Sequence, residues 1–344
     1  MQSDLRVLWS PDVMTKQLET GFVFVLTNPG SESALKMEVK MAGLEWRPGY
    51  QRRGFVTFKA PDDVFDAEAL TVPLACARRI CLSLGKHGTA EAAEAAIVEQ
   101  LGAEALIHHA RFAERRMSGV SGKAAKRIGE WIGTVVELSP DEFWAGAHQH
   151  EHFLSPHPAG DPGLVMAERS PSRAWLKLEE AVRFFGIDFG KKDIVVEVGA
   201  SPGGVVLALL DRGASVIGVD PAKMADVVLE KAVASREDAP SDRAWFWHCR
   251  KPAALVGKKD LGQGVTWFMS DMNQSPEVVL KECARVKKMA PTLRGALLTL
   301  KLTDLSDVQR KDEWFKALSE MGFGTIRLQQ FSAHHREFAL LGMK

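Results

Sequence analysis

The sequence predicts an α/β protein: a parallel-sheet domain fills the C-terminal half, and one or more smaller α+β modules precede it. Three observations carry that prediction. Beyond a turn-rich stretch at Pro156, Pro158, Gly160, Pro162 and Gly163, nearly all-apolar segments of strand length alternate with helical periodicity, as strands buried on both faces do. One of those strands runs through a glycine-rich turn straight into a helix. The chain also opens in β-α-β order. With 344 residues, 46% of them hydrophobic and 26% charged, it has material for about two domains, which excludes disorder, collagen-like repetition and a disulfide-stapled miniprotein.

Taken in order, Gly21 to Leu26 is β-branched and aromatic, and Asn28-Pro29-Gly30-Ser31 ends it. A helix follows with Leu35, Val39 and Ala42 on one stripe, then a strand at Gly54 to Phe58 and a further element through Ala69 to Leu84, in all a ferredoxin-like unit over 1–85. A second module, 86–155, holds an Ala-rich helix ending near Gly102, a strand at Leu106 to Phe112, a helix from Gly122 to Ile132, and strands at Thr134 to Leu138 and Phe143 to His148. A linker covers 156–168 and the parallel domain 169–344. There Ser170-Pro171 is expected as N-cap and first residue of a helix with Ala174, Leu178, Ala181, Val182 and Phe185 buried. Strands are expected at Asp193 to Val198, Ser215 to Asp220, Ala244 to Cys249, Val265 to Asp271 and Gly295 to Leu302. Helices at Gly204 to Arg212, Pro276 to Met289 and Asp307 to Met321 alternate with them. Thr325 to Ser332 and Glu337 to Met343 form an antiparallel hairpin at the sheet's edge.

Charge and cysteine content bound the function. Lys and Arg number 44 and Asp and Glu 44, so no basic excess marks a protein that holds nucleic acid by bulk charge. Cys76, Cys81, Cys249 and Cys283 form no CxxC pair, which fits a reducing, cytoplasmic setting with neither zinc knuckle nor redox pair. No basic leader and no membrane-length apolar run stands at the start, so no membrane association is expected.

The informative turn is Glu197-Val198-Gly199-Ala200-Ser201-Pro202-Gly203-Gly204. Glycines between a strand and a helix let a ligand approach the backbone at the carboxyl end of a parallel sheet. A dinucleotide fingerprint would read G-x-G-x-x-G, whereas this one reads E-x-G-x-x-x-G-G, with an acid placed to meet an ammonium group. Asp220 closes the next strand about 20 residues on, where a carboxylate can accept ribose hydroxyls. S-adenosylmethionine carries the ammonium, a sulfonium and a ribose, and is the expected cofactor. The bland alternative, a tight turn plus a helix-capping Asp220, leaves the agreement of acid and glycines unexplained.

With Ser172-Arg173-Ala174-Trp175-Leu176-Lys177-Leu178-Glu179-Glu180, the Gly199 to Gly204 turn, Ser270-Asp271-Met272, Lys301 on a strand and Arg336-Glu337 at the start of the last strand, residues 169–344 resemble the FtsJ/RrmJ-type ribose 2′-O-methyltransferases. The resemblance implies a Rossmann-like class I methyltransferase domain and a catalytic set Lys177, Asp271, Lys301 and Glu337. It also implies a cofactor site of Glu197, Gly199, Ala200, Ser201, Pro202, Gly203, Gly204, Asp220, His248 and Asp271. The Gly21 to Phe24 strand, the Pro29 to Glu32 helix start and the Ala147 to Pro158 loop are similar to the RlmM-type large-subunit ribosomal RNA cytidine 2′-O-methyltransferases. That family carries a ferredoxin-like segment and a THUMP RNA-binding domain ahead of its catalytic domain. The module at 86–155 would be a reduced THUMP. RNA, from the large subunit (23S) or an assembly intermediate of it, is the implied partner, and no stable protein partner is expected. One departure stands out: the family commonly recognises the adenine amino group with an aspartate after the third strand, and Trp247-His248-Cys249-Arg250 holds no acid, leaving backbone groups or His248.

The chemistry agrees. A ribose hydroxyl is a weak nucleophile and a sulfonium methyl is already activated, so the protein must align the two and stabilise charge emerging on oxygen. Lys301, between Leu300 and Leu302, is the hardest of the four to explain as a solvated charge. It is the expected residue facing the hydroxyl, with neighbouring cations lowering its pKa toward general-base work and Lys177, Asp271 and Glu337 holding it. Arg169, Arg173, Arg250, Lys251 and Arg336 are candidate phosphate contacts, and Trp9, Trp46, Trp131 and Trp144 candidate base-stacking groups, each more often surface charge or core. His148, His150, His152 and His157 raise a metal site, which weighs less than a polar loop meeting RNA or solvent. His334-His335 are expected at the RNA backbone. Competing readings are an inactive RNA-binding assembly factor, a small-molecule methyltransferase and, against the glycine spacing, a nicotinamide oxidoreductase.

Overall fold

The computed structural model describes residues 18–113, 116–151 and 153–344, which places Trp9 and His152 outside the described residues. The first half builds on β1 (Phe22–Thr27), whose five residues after Phe22 are all buried. Its unbroken apolar run follows from having both faces covered. Val23 and Val25 pack with Leu35 and Val39 of α1 (Glu32–Met41), while Phe24 and Leu26 pack with Phe55, Cys81 and Phe112. Ala42 is not part of the stripe, because the helix ends at Met41 and Ala42 is its exposed C-cap. The fully buried Glu38 continues the inner face instead.

Strands β2 (Arg47–Arg52), β3 (Phe55–Lys59) and β4 (Ala77–His87) complete the first unit. Beyond it lie α2 (Ala90–Leu101), β5 (Leu106–Ala113), β6 (Arg116–Ser121), β7 (Trp131–Ser139) and β8 (Glu142–Gln149). All eight strands share one sheet in the order β2-β3-β1-β4-β8-β7-β5-β6, joined across its middle by the register Leu82↔Ala147. β4 thus runs through position 85, where the sequence places a boundary. The expected helix at Gly122 to Ile132 is absent. Residues 122–130 are a loop with positive φ at Gly122 and Gly129, which a helix interior does not accept, and Trp131-Ile132 open β7. The loop's amides bond elsewhere, Ala125 N–H to Pro156 O at 2.8 Å and Gly129 N–H to His150 O at 2.8 Å. The unexpected strands, β2 and β6, are the two sheet edges, where polar sequences suffice.

The segment after β8 is tied down. Arg79 donates to Ser155 O (2.6 Å) and His157 O (2.9 Å), and Arg78 pairs with Asp161 at 3.2 Å. Helix α3 (Ala174–Phe185) then begins three residues later than expected. Ser170 Oγ donates to Ser172 O rather than capping, so Ser170-Pro171 form the turn that leads into the helix.

The second sheet holds β9 (Ile194–Val198), β10 (Ser215–Val219), β11 (Phe246–Cys249), β12 (Trp267–Ser270), β13 (Gly295–Lys301), β14 (Thr325–Gln329) and β15 (Glu337–Met343) in the order β11-β10-β9-β12-β13-β15-β14. β9 to β13 pair in parallel, and β15 lies antiparallel between β13 and β14. Helix α4 (Gly204–Asp211) packs beside α3 on one face, and α7 (Pro276–Met289) and α8 (Lys311–Glu320) cover the other; α5 (Asp226–Leu229) and α6 (Lys258–Leu261) are single turns. The long helix expected from Asp307 starts as a 3-10 turn over Leu305–Arg310, capped by Asp304 on the Ser306 amide at 2.9 Å.

Strand order reverses between β9 and β12, which opens a crevice at their carboxyl ends, the place where open parallel sheets bind ligands. The first half docks beside that crevice. Asn28 Nδ2 donates to Phe331 O (2.7 Å) and His334 O (3.1 Å), and the buried Glu38 carboxylate takes the Ala75 and Cys76 amides and pairs with Lys311 at 3.2 Å.

Candidate active site

Four charged side chains from four elements converge on the crevice. α3 supplies Lys177, the end of β12 Asp271, the end of β13 Lys301 and the start of β15 Glu337, with Lys301 and Glu337 facing each other in register. Lys177 Nζ lies 3.3 Å from Asp271 Oδ1 and 2.9 Å from Glu337 Oε2, clamped between two carboxylates. Lys301 Nζ donates to Asp271 O at 2.9 Å and stands 3.3 Å from its Oδ1. Both of its contacts run to one residue, and its side chain is 24% exposed against 15% for Lys177. The difference sorts the lysines. Lys177 is locked, and Lys301 is the one with reach into the open cleft.

That cleft, ≈ 320 Å³ and within the size range of small-molecule sites, is lined by Lys177, Lys301, Asp271, Glu337, Glu197, the run Gly199 to Pro202 and Gly204, whereas Gly203, Asp220 and His248 lie outside its lining. The glycines are there for contact. A Cβ on Gly199, at φ +82°, would fall 2.9 Å from Met272 N, and one on Gly204 would fall 2.3 Å from Ser172 Oγ, so the turn, the β12 end and the start of α3 could not close together with larger residues.

Glu197 is 2% exposed, and its Oε2 has no hydrogen-bond partner among the described residues. Burial first, then the negative charges of Asp271 and Asp220, push its carboxyl well above the ordinary 4.5. An uncompensated buried acid lining a cleft is suited to a cationic ligand group. Asp220 accepts the Ser201 amide at 3.1 Å and the Ala222 amide at 2.8 Å, so it shapes the turn whatever else it binds. His248 Nε2 bonds Asp220 O at 2.9 Å. Since a carbonyl only accepts, Nε2 is the donor in this bond, which leaves Nδ1 as the nitrogen that can accept in that tautomer.

Residues the sequence did not single out hold the cleft's far wall. Glu180, one turn after Lys177 on α3, is buried, accepts the Ser332 hydroxyl and takes the Ala333 amide at 2.8 Å, fixing the loop that brings Ala333 and His335 to the cleft. Burial raises its carboxyl. It stands in the Ser172 to Glu180 stretch that carries the family resemblance, where only its spacing of three residues from Lys177 hints at a place near the cleft.

Other expectations change. His334 is 3% exposed and cannot meet an RNA backbone, whereas His335 is exposed at the cleft. His148 is fully buried beside His108 and Cys81, burial holding His148 well below 6.5 and His108 near 4, so His148 belongs to the interior of the first sheet and not to a polar loop. No group of three or more possible metal ligands assembles among the described residues. Arg169 and Lys251 are engaged by Asp211 and Asp260, each at 2.6 Å, while Arg173 lines the cleft and Arg250 and Arg336 are exposed. Trp46 is core, and Trp131 and Trp144 are partly buried. All four cysteines are free and buried, and no helix among the described residues is long and apolar enough to cross a membrane.

A mostly parallel sheet with an antiparallel next-to-last position, an acidic glycine turn at the strand-order reversal and a charged cluster beside it defines a Rossmann-like α/β domain with its ligand cleft at the switch point. Residues 170–310 match the family model described as FtsJ-like methyltransferase. Lys177, Asp271 and Lys301 fall inside the matched span and Glu337 beyond it. The chain is similar to proteins named Ribosomal RNA large subunit methyltransferase M. The one from Haemophilus influenzae (strain PittEE) is 33% identical over 121 residues, 33% of each chain. That from Shewanella frigidimarina (strain NCIMB 400) is 31% identical over 184 residues, 48% of this chain and 49% of the relative. That from Azoarcus sp. (strain BH72) is 26% identical over 192 residues, 53% and 48%. The matches thus span between a third and about half of the relatives' length.

Proposed function

We propose that the protein transfers a methyl group from S-adenosylmethionine to a ribose 2′-hydroxyl of RNA, with large-subunit (23S) ribosomal RNA as the substrate. The observation that carries this reading is the convergence of Lys177, Asp271, Lys301 and Glu337 in one cleft with the Gly199 to Gly204 turn and the unpartnered Glu197. Glu197 fits the ammonium of the methyl donor, the backbone of Gly199 to Gly204 its methionine part, and Asp220 its ribose. His248 Nδ1 offers the acceptor that an adenine amino group needs in place of the missing aspartate. When bound, the donor supplies a methyl group already activated by its sulfonium.

The chain's own residues then align and stabilise. Lys301 meets the hydroxyl oxygen, and its ammonium stabilises the negative charge that develops there as the oxygen–methyl bond forms. Lys177, clamped by Asp271 and Glu337, fixes both carboxylates, and Asp271 fixes Lys301 through its carbonyl and carboxylate. The carbon–sulfur bond breaks with its electron pair on sulfur, and the hydroxyl proton leaves to water. Arg173, His335 and Arg336 around the cleft suit phosphates flanking the target. The first half, in the division 1–85 ferredoxin-like and 86–155 reduced THUMP-like, with 156–168 leading into 169–344, would present the RNA, a role its docking beside the crevice supports.

The test is labelled methyl transfer to total RNA from a strain lacking the gene, followed by mapping of 2′-O-methylation. A single new 2′-O-methyl mark in 23S RNA is expected. Label found only in protein or small molecules overturns the proposal.

A further inference from the structure

Beside the charged cluster lies a second, small recess of ≈ 20 Å³, bordered by Glu197, Lys177, Asp271 and His334 and otherwise mostly by apolar side chains such as Leu178 and Met269. Two of these are buried groups with an atom left unpartnered among the described residues: Glu197 Oε2 and His334 Nε2. The ring's orientation is fixed from the other side. The Phe331 N–H donates to His334 Nδ1 at 3.2 Å, so Nδ1 is an acceptor and the neutral ring carries its proton on Nε2. The backbone is fixed too, by Asn28 Nδ2 on His334 O at 3.1 Å. An N–H that can only donate and a carboxyl oxygen that accepts when ionised are therefore the two unpartnered polar atoms among the residues bordering one small, otherwise largely apolar recess. About 10–15 Å³ holds one water, given two to four polar partners.

We propose that His334 is a positioning residue: through one water held in this cavity, its Nε2–H orients the Glu197 carboxylate for the ammonium of the methyl donor. The inference rests on the methyltransferase reading above. The water accepts from His334 Nε2–H and donates to Glu197 Oε2, with Lys177 Nζ within the same lining. The charged groups facing the pair are Asp220 from the end of β10, Asp271 from the end of β12 and Lys177 from α3, with Glu337 beyond Lys177 and Glu180 on the neighbouring Ala333 amide. Burial and then Lys177 hold His334 down to about 3, so its ring is neutral and donates. A donor aimed at the Glu197 carboxylate favours the ionised form, the one that attracts an ammonium.

The test uses the full chain and calorimetric binding of S-adenosylmethionine across a pH series for the wild type, His334→Phe and His334→Gln. His334→Phe fills the ring's place without a donor. It should weaken binding about tenfold and move the pH midpoint of binding up by about one unit, the scale of one hydrogen bond to a charged group. His334→Gln, whose amide can accept from Phe331 N–H and donate toward Glu197, should recover most of both. Wild-type affinity and midpoint in His334→Phe, or equal losses in the two variants, overturn the proposal. A high-resolution crystal structure gives the answer independently of either variant: one water between His334 Nε2 and Glu197 Oε2 is expected, and an empty cavity overturns it. A wild type that binds no S-adenosylmethionine removes the methyltransferase reading itself, whereas normal wild-type binding with an unaffected His334→Phe removes this inference alone.

Discussion

Lys177 and Lys301 carry the same charge in the same cleft, yet their removal should have different consequences. Lys301 bonds one residue, Asp271, through its carbonyl at 2.9 Å and its carboxylate at 3.3 Å, and that carboxylate keeps Lys177 when Lys301 is gone. At 24% exposure, Lys301→Ala should cost at most about 1 kcal/mol of stability. Lys177 bridges Asp271 and Glu337, 3.3 and 2.9 Å from them. Its loss brings two poorly solvated carboxylates together with only Lys301 nearby, which should cost about 2–3 kcal/mol. Activity should run the other way per unit of stability lost. Lys301→Ala removes the group facing the developing oxyanion and should slow single-turnover methyl transfer about a hundred- to a thousandfold, while S-adenosylmethionine affinity holds within about twofold. Urea unfolding, rapid-quench methyl transfer and calorimetric cofactor binding on both variants measure the three quantities. Near-normal turnover in Lys301→Ala, or a stability loss in it equal to that of Lys177→Ala, would refute the assignment of roles.

Further expectations follow from burial and charge. Glu197, raised in the fold by burial and by Asp271 and Asp220, binds in the folded state a proton that the unfolded chain has released above about 4.5, so it lowers stability as pH rises through the raised value. Glu197→Gln should therefore raise Tm relative to wild type more at alkaline than at acid pH, and a pH-independent difference contradicts this. Glu38 is fully buried, takes the Ala75 and Cys76 amides and pairs with Lys311; Glu38→Ala should cost about 3 kcal/mol in urea unfolding, and a loss under about 1 would show that it holds nothing. RNA affinity should fall with salt on a log–log slope near about −2, for two or three neutralised phosphates, and a slope steeper than about −5 would point to a broad basic surface.

How much of this was legible in the sequence depended on what each residue is asked to do. The strands of the parallel sheet are buried on both faces, so their apolar runs announce them, and α7 begins at Pro276 and ends at Met289 as its sequence indicates. β2 and β6 leave no such mark because sheet edges tolerate Arg-Pro-Gly-Tyr-Gln-Arg and Arg-Met-Ser-Gly-Val-Ser. Helical periodicity misled at Gly122 to Ile132, where two glycines with positive φ and two long-range amide bonds outweigh Ala124, Ala125 and Ile128. The four charged residues of the cleft were readable as an ordered set. Glu180 and the buried side of His334 were not, since both depend on a loop that folds back 150 residues later in the chain and is pinned by Asn28 from the first half.

That pinning also bears on how a chain of zero net charge could hold RNA. Of the basic residues considered for phosphate contacts, Arg169 and Lys251 are already neutralised by Asp211 and Asp260, and Arg173 and Arg336 reach backbone carbonyls at the cleft. Arg250, exposed after β11, is the fifth of those residues and lies at the far edge of the sheet from Lys301. Recognition by bulk charge is thus unavailable, and a specific RNA has to be fitted by the shape of the eight-stranded sheet against the cleft. Asn28, Glu38 and Gln329 fix that relation: Gln329 Nε2 donates to Ala77 O at 3.0 Å, next to the amides that Glu38 holds. On this reasoning, a variant that loosens the contact, such as Asn28→Ala, should raise the RNA KM while leaving S-adenosylmethionine affinity near the wild-type value. A steady-state titration with RNA that finds KM unchanged would mean that the first half positions nothing.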